Sequence, residues 1–435
     1  MGREVVVTGF GVVTAFGPGL EPLWDGLKAG ETAIGPIEQF DPEGFDSTTG
    51  GEVKGFSAKS FVPKHYRKAT KVMARDTELA VAAAQLAVDA AGIVTRAQGP
   101  DAELTVEPGR MGCHIGAGLI AAEVPELAFA GSNAVDGDGT LDLKAWGEAG
   151  MANLPPLWML KYLPNMLACH VTILHGAEGP SNTITCGEAS ALLSLGESQR
   201  VIERGDADLC FSGGAESRLN PVATYRVQAT GRLAKGDAPS APFDPKSPGL
   251  RIGEAGGIVI LESSETAKAR GAAPIAVVSG YAAAQSMPGL PGYELGDAGT
   301  WGSPPETNEG LASACRRAIA DAGLAPADID AVVPHGAGYA PEDDADARAL
   351  ETVFGDRLAT LPIVLWADAT GDSFAGNGAV QAAIAAECVR RGELPRAALI
   401  GGGEASPPDR VRNVLVCTGS VGGQNAAVVL SDPRS

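Results

Sequence analysis

The feature that most limits how this chain can fold is a strand-and-helix pattern that occurs twice. In the first half an Ala-rich stretch, "DTELAVAAAQLAVDAAG", precedes a Gly-ended apolar run, "MGCHIGAG"; in the second a similar stretch ending in "DAG" precedes "DIDAVVPHGAG". The first half continues with a helical run after Cys186, then "DLCFSGGAES" and a closing strand, "AGGIVILES". The second continues with "GNGAVQAAIAAECVRRG", then "NVLVCTGSVGG" and its own closing strand, "NAAVVLSD". Apolar periodicity near 3.6 with Gly at the C-terminal end marks "DTELAVAAAQLAVDAAG" and "ASALLSLGESQRVIERGDA" as helices. The β-branched runs, starting with "EVVVTGFGVV", read as strands. Alternation of this kind implies an α/β fold with buried sheets. Two copies of one unit, residues 1–265 and 266–435, would meet face to face, with the functional cleft near their junction. Residues 120–168 fit neither copy. With "GSNAVDGDGT" and "NLPPLWMLKYLPNML" they read as an insertion whose apolar side chains form a dimer contact, a lid over the cleft, or part of the chain's own core.

Composition excludes several classes of function. With 45% apolar and 20% charged residues over 435 positions, the chain is globular and long enough to bury a large core. No run of about 18 apolar residues is present, so no membrane span is expected. The N-terminus, "MGREVVVTGFGVV", enters a strand directly, without the features of a secretory signal. Seven scattered cysteines, none at metal-ligand spacing, fit a reducing cytoplasm and no metal site. A net charge of −20 argues against nucleic acid. An acidic partner would need a local basic patch, and Lys64, Arg67, Lys68 and Lys71 in "KHYRKATKV" either supply one or are an ordinary solvated face.

Cys186, in "GPSNTITCGEASALL", stands where a short β-branched run meets a helix. A thiol there feels the positive end of the helix dipole, which lowers its pKa and raises the thiolate fraction. Cys113, Cys210 and Cys417 sit in strand-like runs and Cys315 and Cys388 in helical ones, where burial suits them. Cys169, beside His170, has a weaker claim to function. Among the five histidines, His335 follows the apolar run "DAVVP" and precedes "GAG", at a strand's C-terminal end, where α/β proteins place ligands. His114 holds the corresponding place in the first copy, one residue earlier in its strand, and reads as structural.

These motifs together resemble the β-ketoacyl-acyl-carrier-protein synthases of the thiolase-fold family, near the type II condensing enzymes and polyketide ketosynthases. "VVVTGFGVVTAFG" resembles the family's opening strand and "GPSNTITCGEASA" its nucleophile elbow. "GDADLCFSGGAES" and "APFDPKSPGLRIGEAGGIVILE" are long matches. "VVPHGAG" and "ATGDSFAGNGAV" resemble the two catalytic-histidine motifs, and "GSVGGQNAAVVL" the closing glycine-rich loop. The resemblance implies a five-layer αβαβα fold, a homodimer, and a substrate delivered on the phosphopantetheine arm of an acyl or peptidyl carrier protein, with no bound cofactor. It also implies an oxyanion hole formed by the backbone N–H groups of Cys186 and Val421.

The departures from the family pattern bear on chemistry. The family's Cys-His-His set becomes Cys186, His335 and Asp372, and the lysine five residues before the second histidine becomes Ala367. In the segment His-Gly-Thr-x-Thr both threonines are replaced, by Ala337 and Tyr339. Phe-Gly-Phe-Gly-Gly becomes "GSVGG", with Gly419 and Val421 in place of both rings. After the nucleophile, Thr-Ser-Gly becomes Gly187, Glu188 and Ala189. Two neutral imidazoles can donate to the enolate formed on decarboxylation, whereas an ionised Asp372 repels it and is instead placed to act as a base. Loss of two rings is expected to enlarge a pocket lined by Glu188, Tyr339, Ala367, Gly419 and Val421. The expected chemistry is acyl transfer to Cys186, with His335 activating the thiol or holding an oxyanion. Asp372, or less readily Glu188, then drives a non-decarboxylative aldol-type cyclisation with release, a departure similar to that of the salinosporamide-type ketosynthase-like cyclases. A conventional decarboxylating synthase, a transacylase and a non-catalytic partner resembling a chain-length factor are the alternatives.

Overall fold

The computed structural model describes residues 2–99, 101–286 and 306–434. Its principal strands are β1 (Val5–Thr14), β2 (Met111–Ala117), β3 (Ser181–Ile184), β4 (Leu209–Ser217), β5 (Glu254–Ser263), β6 (Ala276–Gln285), β7 (Ala331–Pro334), β8 (Asn413–Gly419) and β9 (Gln424–Ser431). The principal helices are α1 (Arg75–Ala91), α2 (Met166–His175), α3 (Ser190–Glu203), α4 (Glu309–Asp321), α5 (Ala340–Phe354) and α6 (Asn377–Arg391). The strands form one sheet in the order β7-β8-β9-β6-β1-β5-β4-β2-β3, with Gly17–Pro18 paired to β1.

The repeat read from sequence is visible in this order. Strand β1, helix α1, strand β2, helix α3 and strands β4 and β5 have counterparts in β6, α4, β7, α6, β8 and β9. Within each copy the spatial order is the same: β2-β4-β5-β1 in the first and β7-β8-β9-β6 in the second. The copies join edge to edge where β1 pairs antiparallel with β6, Val6 opposite Val277 and Val7 opposite Ala276. Helix α1 covers β1, β5 and β4 from one outer side, with α2 beside it; α4 covers β6 and β9 from the other, with α5 beside it. Between the two portions of the sheet lie α3, against β2 and β4, and α6, against β8 and β5. Five alternating layers of helix and sheet result, as expected.

A helix buried on all sides must be apolar all round. Every residue of α6 from Asn377 to Val389 is buried. Its polar exceptions make internal bonds: Gln381 Nε2 donates to the carbonyls of Val333 (3.0 Å) and Cys417 (3.2 Å). Glycines set the spacing of these layers. A methyl at Gly116 of β2 would lie 2.6 Å from the Ala191 nitrogen of α3, and one at Gly257 of β5 would lie 2.7 Å from the Ala379 Cβ of α6. Cys113, Cys210, Cys315, Cys388 and Cys417 are all buried, and His114 bonds Ser198 Oγ at 3.0 Å inside the structure. Cys169 is half-buried on α2, where neighbouring His170 pairs through Nδ1 with the Tyr66 hydroxyl at 3.0 Å.

The insertion joins the core at its ends, through Ile120 and Leu167, while most of its larger side chains stay outside it. Phe129, Leu143, Leu157 and Met159 are 64%, 75%, 68% and 64% exposed. No helix among the described residues is long and apolar enough to cross a membrane.

One close approach between sheet and helix gives a direct test of the packing. At Gly11 of β1 a methyl would overlap the Ala83 carbonyl of α1 and lie 2.5 Å from the Ala87 nitrogen. Overpacking costs typically about 1–3 kcal/mol, and here the opposing atoms are backbone. Gly11→Ala is expected to lower unfolding free energy by at least about 1–3 kcal/mol in urea titration. A stability equal to the parent's would mean that β1 and α1 are further apart than described.

Candidate active site

The reactive side chains gather at the N-terminal ends of the two central helices, joined there by the turn after β7. Strand β3 ends at Ile184, and Cys186 precedes a single helical turn, Gly187–Ala189, that runs into α3. Gly187 has φ +56°, which a residue without Cβ adopts at no steric cost. A methyl there would lie 3.4 Å from the Ser420 Cβ, so the nucleophile turn and the closing loop, Ser420–Gly423, lie side by side. The two residues expected to supply the oxyanion hole, Cys186 and Val421, therefore stand on adjacent turns. The Cys186 N–H is already engaged: it donates to Ser190 Oγ at 2.8 Å, and the Ser190 hydroxyl donates to the Gly187 carbonyl at 2.6 Å. An incoming carbonyl oxygen must take that N–H from Ser190.

The thiol differs from the expectation of a lowered pKa. Cys186 is half-buried, and burial pushes its pKa above the ordinary value. Desolvation at a position between two turns opposes the helix dipole.

His335 directly follows β7 and is buried; Gly336 and Gly338, at φ +56° and +82°, turn the chain away behind it. Asp372 is fixed through its backbone to the other half of the protein. Its N–H donates to the Arg251 carbonyl (2.7 Å), and its carbonyl accepts from Gly253 N (2.8 Å). Its carboxylate faces His335, with Oδ2 3.1 Å from Nε2. Oδ1 accepts from the Phe374 N–H at 2.8 Å and from Asn377 Nδ2 at 2.7 Å. Burial disfavours both charges, but each stabilises the other. His335 is held well above the usual imidazole range by Asp372, with Glu188 and Glu342 adding to it. Asp372 is held below the usual carboxylate range by His335, Arg232 and Asn377.

A second buried group of charges adjoins the first. Arg232 lies between Glu188 (2.8 Å) and Glu342 (2.7 Å). Its guanidinium stands 5.3 Å from the centre of the Phe374 ring, and that of Arg218 stands 4.1 Å from it. Arg218 pairs with Glu216 at 2.6 Å, and Glu216 accepts from the Ala375 N–H at 2.9 Å. Phe374 has φ +50°, a conformation that costs a non-glycine residue of order 1–3 kcal/mol. The bond from its N–H to Asp372 and the two cations on its ring hold it there. Burial pushes Glu342 up to about 7, against the opposing pull of Arg232. Sequence reasoning placed Glu188 here but missed Arg232, Glu342 and Asn377. Asn377 lies inside a motif that was recognised, whereas Arg232, in "GRLAKG", carries no spacing that marks it.

Several expected pocket residues are placed differently. Ala367, at the lysine position, is buried in the hydrophobic core with Trp366 and Ala369. Gly419 does not open space. A Cβ there would lie 2.7 Å from both Asn308 Nδ2 and Asn425 Oδ1, two amides bonded to each other at 2.9 Å. The room that a ring would need is filled by this polar pair, which Ser286 and Asp346 complete. Tyr339 caps α5 through its carbonyl, which accepts from Glu342 N (3.0 Å) and Asp343 N (3.1 Å). Val421 is exposed at the tip of its loop.

Comparison with known proteins agrees with this geometry. Residues 2–267 match the family model "Beta-ketoacyl synthase, N-terminal domain", and residues 290–400 match "Beta-ketoacyl synthase, C-terminal domain". The chain is 27% identical over 394 residues to a 3-oxoacyl-[acyl-carrier-protein] synthase 2 of Staphylococcus aureus (strain COL), covering 89% of this chain and 86% of that one. It is 28% identical over 397 residues to the protein of the same name from a Synechocystis strain, covering 90% and 87%. Among solved structures, the ishigamide ketosynthase/chain length factor superposes with TM-score 0.80 at 26% identity, over 99% of both chains. A beta-ketoacyl synthase from Burkholderia phymatum STM815 superposes with TM-score 0.79 at 25% identity, over 99% of this chain and 100% of that one. With matches to both of its domain models, this chain belongs to the beta-ketoacyl synthase family.

Proposed function

We propose that the protein takes an acyl group from a carrier-protein thioester onto Cys186 and then closes a ring on it by a non-decarboxylative, aldol-type reaction that releases the product. The observation that carries this reading is the buried His335–Asp372 pair, which stands where two neutral imidazoles would act in a decarboxylating enzyme. The enolate of a decarboxylation needs neutral or positive donors around its oxygen. Here the Nε2 proton of His335 is directed at Asp372, and the Asp372 carboxylate opposes a second anion.

The steps balance without a cofactor. Cys186 Sγ attacks the thioester carbonyl, the carrier thiol departs, and the cysteine proton leaves with it. The acyl chain then loses a proton from a carbon between two carbonyls to the Asp372–His335 pair. Because Asp372 is held low, it is a weak base, and only such a doubly activated carbon is acidic enough for it. The carbanion adds to a carbonyl of the same chain. The alkoxide that results attacks the Cys186 thioester, expelling the thiolate and forming a lactone, and the thiolate is reprotonated. Glu188, already committed to Arg232, serves in this scheme as a wall of the site and a source of field at His335.

Two partners accompany the reading. The curated relatives act on carrier-protein substrates by name, and the exposed Lys64, Arg67, Lys68 and Lys71 offer an acidic carrier a basic landing place on an otherwise acidic protein. The exposed apolar insertion and the sheet-edge strand β3 fit a second copy of the chain, and one structural neighbour is named for a ketosynthase with a chain length factor.

Intact-protein mass spectrometry with an acyl-carrier thioester tests the scheme. Cys186→Ala is expected to take up no acyl mass. Asp372→Asn is expected to load and then to hold the acyl group, with release slowed by about 10²–10⁴-fold, the usual contribution of a general base. Faster carbon dioxide release from malonyl-carrier in Asp372→Asn, with unchanged product release, would instead identify a decarboxylating synthase. Release at the parent rate would leave a transacylase.

Charge reversal at the basic patch gives a separate check. Lys64→Glu with Lys68→Glu is expected to raise KM for the carrier substrate at low salt, an effect that shrinks as salt screens it, while kcat is retained. An unchanged KM would place carrier docking elsewhere. Light scattering is expected to give a dimer, and Phe129→Glu with Leu143→Glu to give a monomer. A parent monomer that pairs only with another ketosynthase-fold chain would indicate a heterodimer.

A further inference from the structure

Asn377 is the first residue of α6, fully buried, and its side chain meets both members of the charged pair. Its orientation is fixed by its own carbonyl oxygen, which accepts from the Ser373 N–H (2.9 Å) and from the Ser373 hydroxyl (2.9 Å). A backbone N–H can only donate, so Oδ1 must face Ser373 and the NH₂ must face the pair. That NH₂ lies 2.7 Å from Asp372 Oδ1 and 3.0 Å from His335 Nε2.

Those contacts cannot all be ordinary donor–acceptor bonds at once. While His335 carries its Nε2 proton, it donates to Asp372 Oδ2, and Asn377 can serve only Asp372. Once that proton has left, Nε2 presents a lone pair to a buried site, and an unsatisfied buried acceptor is costly. The second N–H of Asn377 is already beside it. We infer that Asn377 is a positioning residue that holds Asp372 toward His335 and takes up the Nε2 lone pair whenever the shared proton moves. The proton can then pass through the pair without leaving an orphaned atom in either state. This rests on the reading that the pair works after loading, but its main test does not need substrate.

The neighbours that bear on the titration come from every element around the pair. Glu188 lies on the turn before α3; Glu342, Asp343 and Asp346 lie on α5. Arg232 lies on the loop after residue 229, and Glu216 on β4. All remain in an Asn377 variant. Loss of the amide removes a donor from the Asp372 anion, so Asp372 is protonated at higher pH. It also removes the donor that serves neutral His335, so His335 keeps its proton to higher pH. Both transitions move upward.

The experiment is ¹⁵N-histidine NMR of the full-length, substrate-free protein, with His335 assigned by its absence in His335→Gln. In Asn377→Ala the His335 transition is expected to rise by about one pH unit, in line with the loss of one hydrogen bond at a charged site. Asn377→Leu keeps most of the volume, adds no charge and also removes both donors, and is expected to shift it in the same direction, so a poorly folding alanine variant does not decide the matter. In both variants, decay of preformed acyl-Cys186 is expected to slow at least about tenfold, the equivalent of one such unit, and its pH profile to move upward. An unshifted His335 transition in either well-folded variant overturns the inference whatever the reaction proves to be. A shifted transition with unaltered acyl decay would uphold the positioning and count against the proposed reaction.

Discussion

The central constraint is the burial of two helices, α3 and α6, between two portions of one sheet. Both helices are buried along most of their surface, α3 keeping a stripe at Leu193, Glu197 and Arg200 outside the fully buried set, and glycines on the flanking strands let backbone approach backbone. Their N-terminal ends are the places where polar chemistry can enter the interior. Cys186 stands just before α3, and Asp372, Phe374 and Asn377 stand at the start of α6. The turn after β7 brings in His335. The site is therefore a product of the layer packing: the pair of copies buries the two helices, and the two helix starts face each other's turns.

Within that frame, charge has accumulated where a neutral site would be less costly. Asp372 and His335, then Glu188, Arg232 and Glu342, then Glu216 and Arg218 form successive buried pairs around the Phe374 ring. Breaking one member of such a set leaves an uncompensated charge, which is more damaging than the pair's absence would be. Substitutions at Arg232 or Glu342 will thus disturb His335 and Asp372 without touching them. The strained backbone of Phe374 belongs to the same set, since its N–H is one of the donors that keep Asp372 ionised.

Much of this was legible in sequence because it is periodic or local. The two-copy arrangement follows from helical and strand periods. Cys186 and His335 follow from their places at a helix start and a strand end. Asp372 follows from a motif with one altered letter. What was not legible depends on contacts between distant segments. Arg232 is an arginine in a polar loop until the fold brings Glu188 and Glu342 to it, 44 residues before it and 110 after it. Asn377 looks like a helix start until His335 arrives from another strand. The raised pKa of the thiol was not legible because a helix dipole belongs to the helix's own residues, whereas burial depends on segments distant in sequence that pack beside it, the Ser420 loop among them.

Gly419 shows how far a single letter can mislead about distance between sequences. Its missing ring reads as an empty space, but the two amides of Asn308 and Asn425 occupy it and hold the strand beside the closing loop. An aromatic gate is thus not one mutation away from this protein. A ring placed at residue 419 first meets a packed polar network, and removing either amide first leaves the other buried and short of one bond, though still tied to Ser286. Each single step disturbs the network that the other step would have to remove, so the two forms of this loop differ by coupled changes at residues 308, 419 and 425.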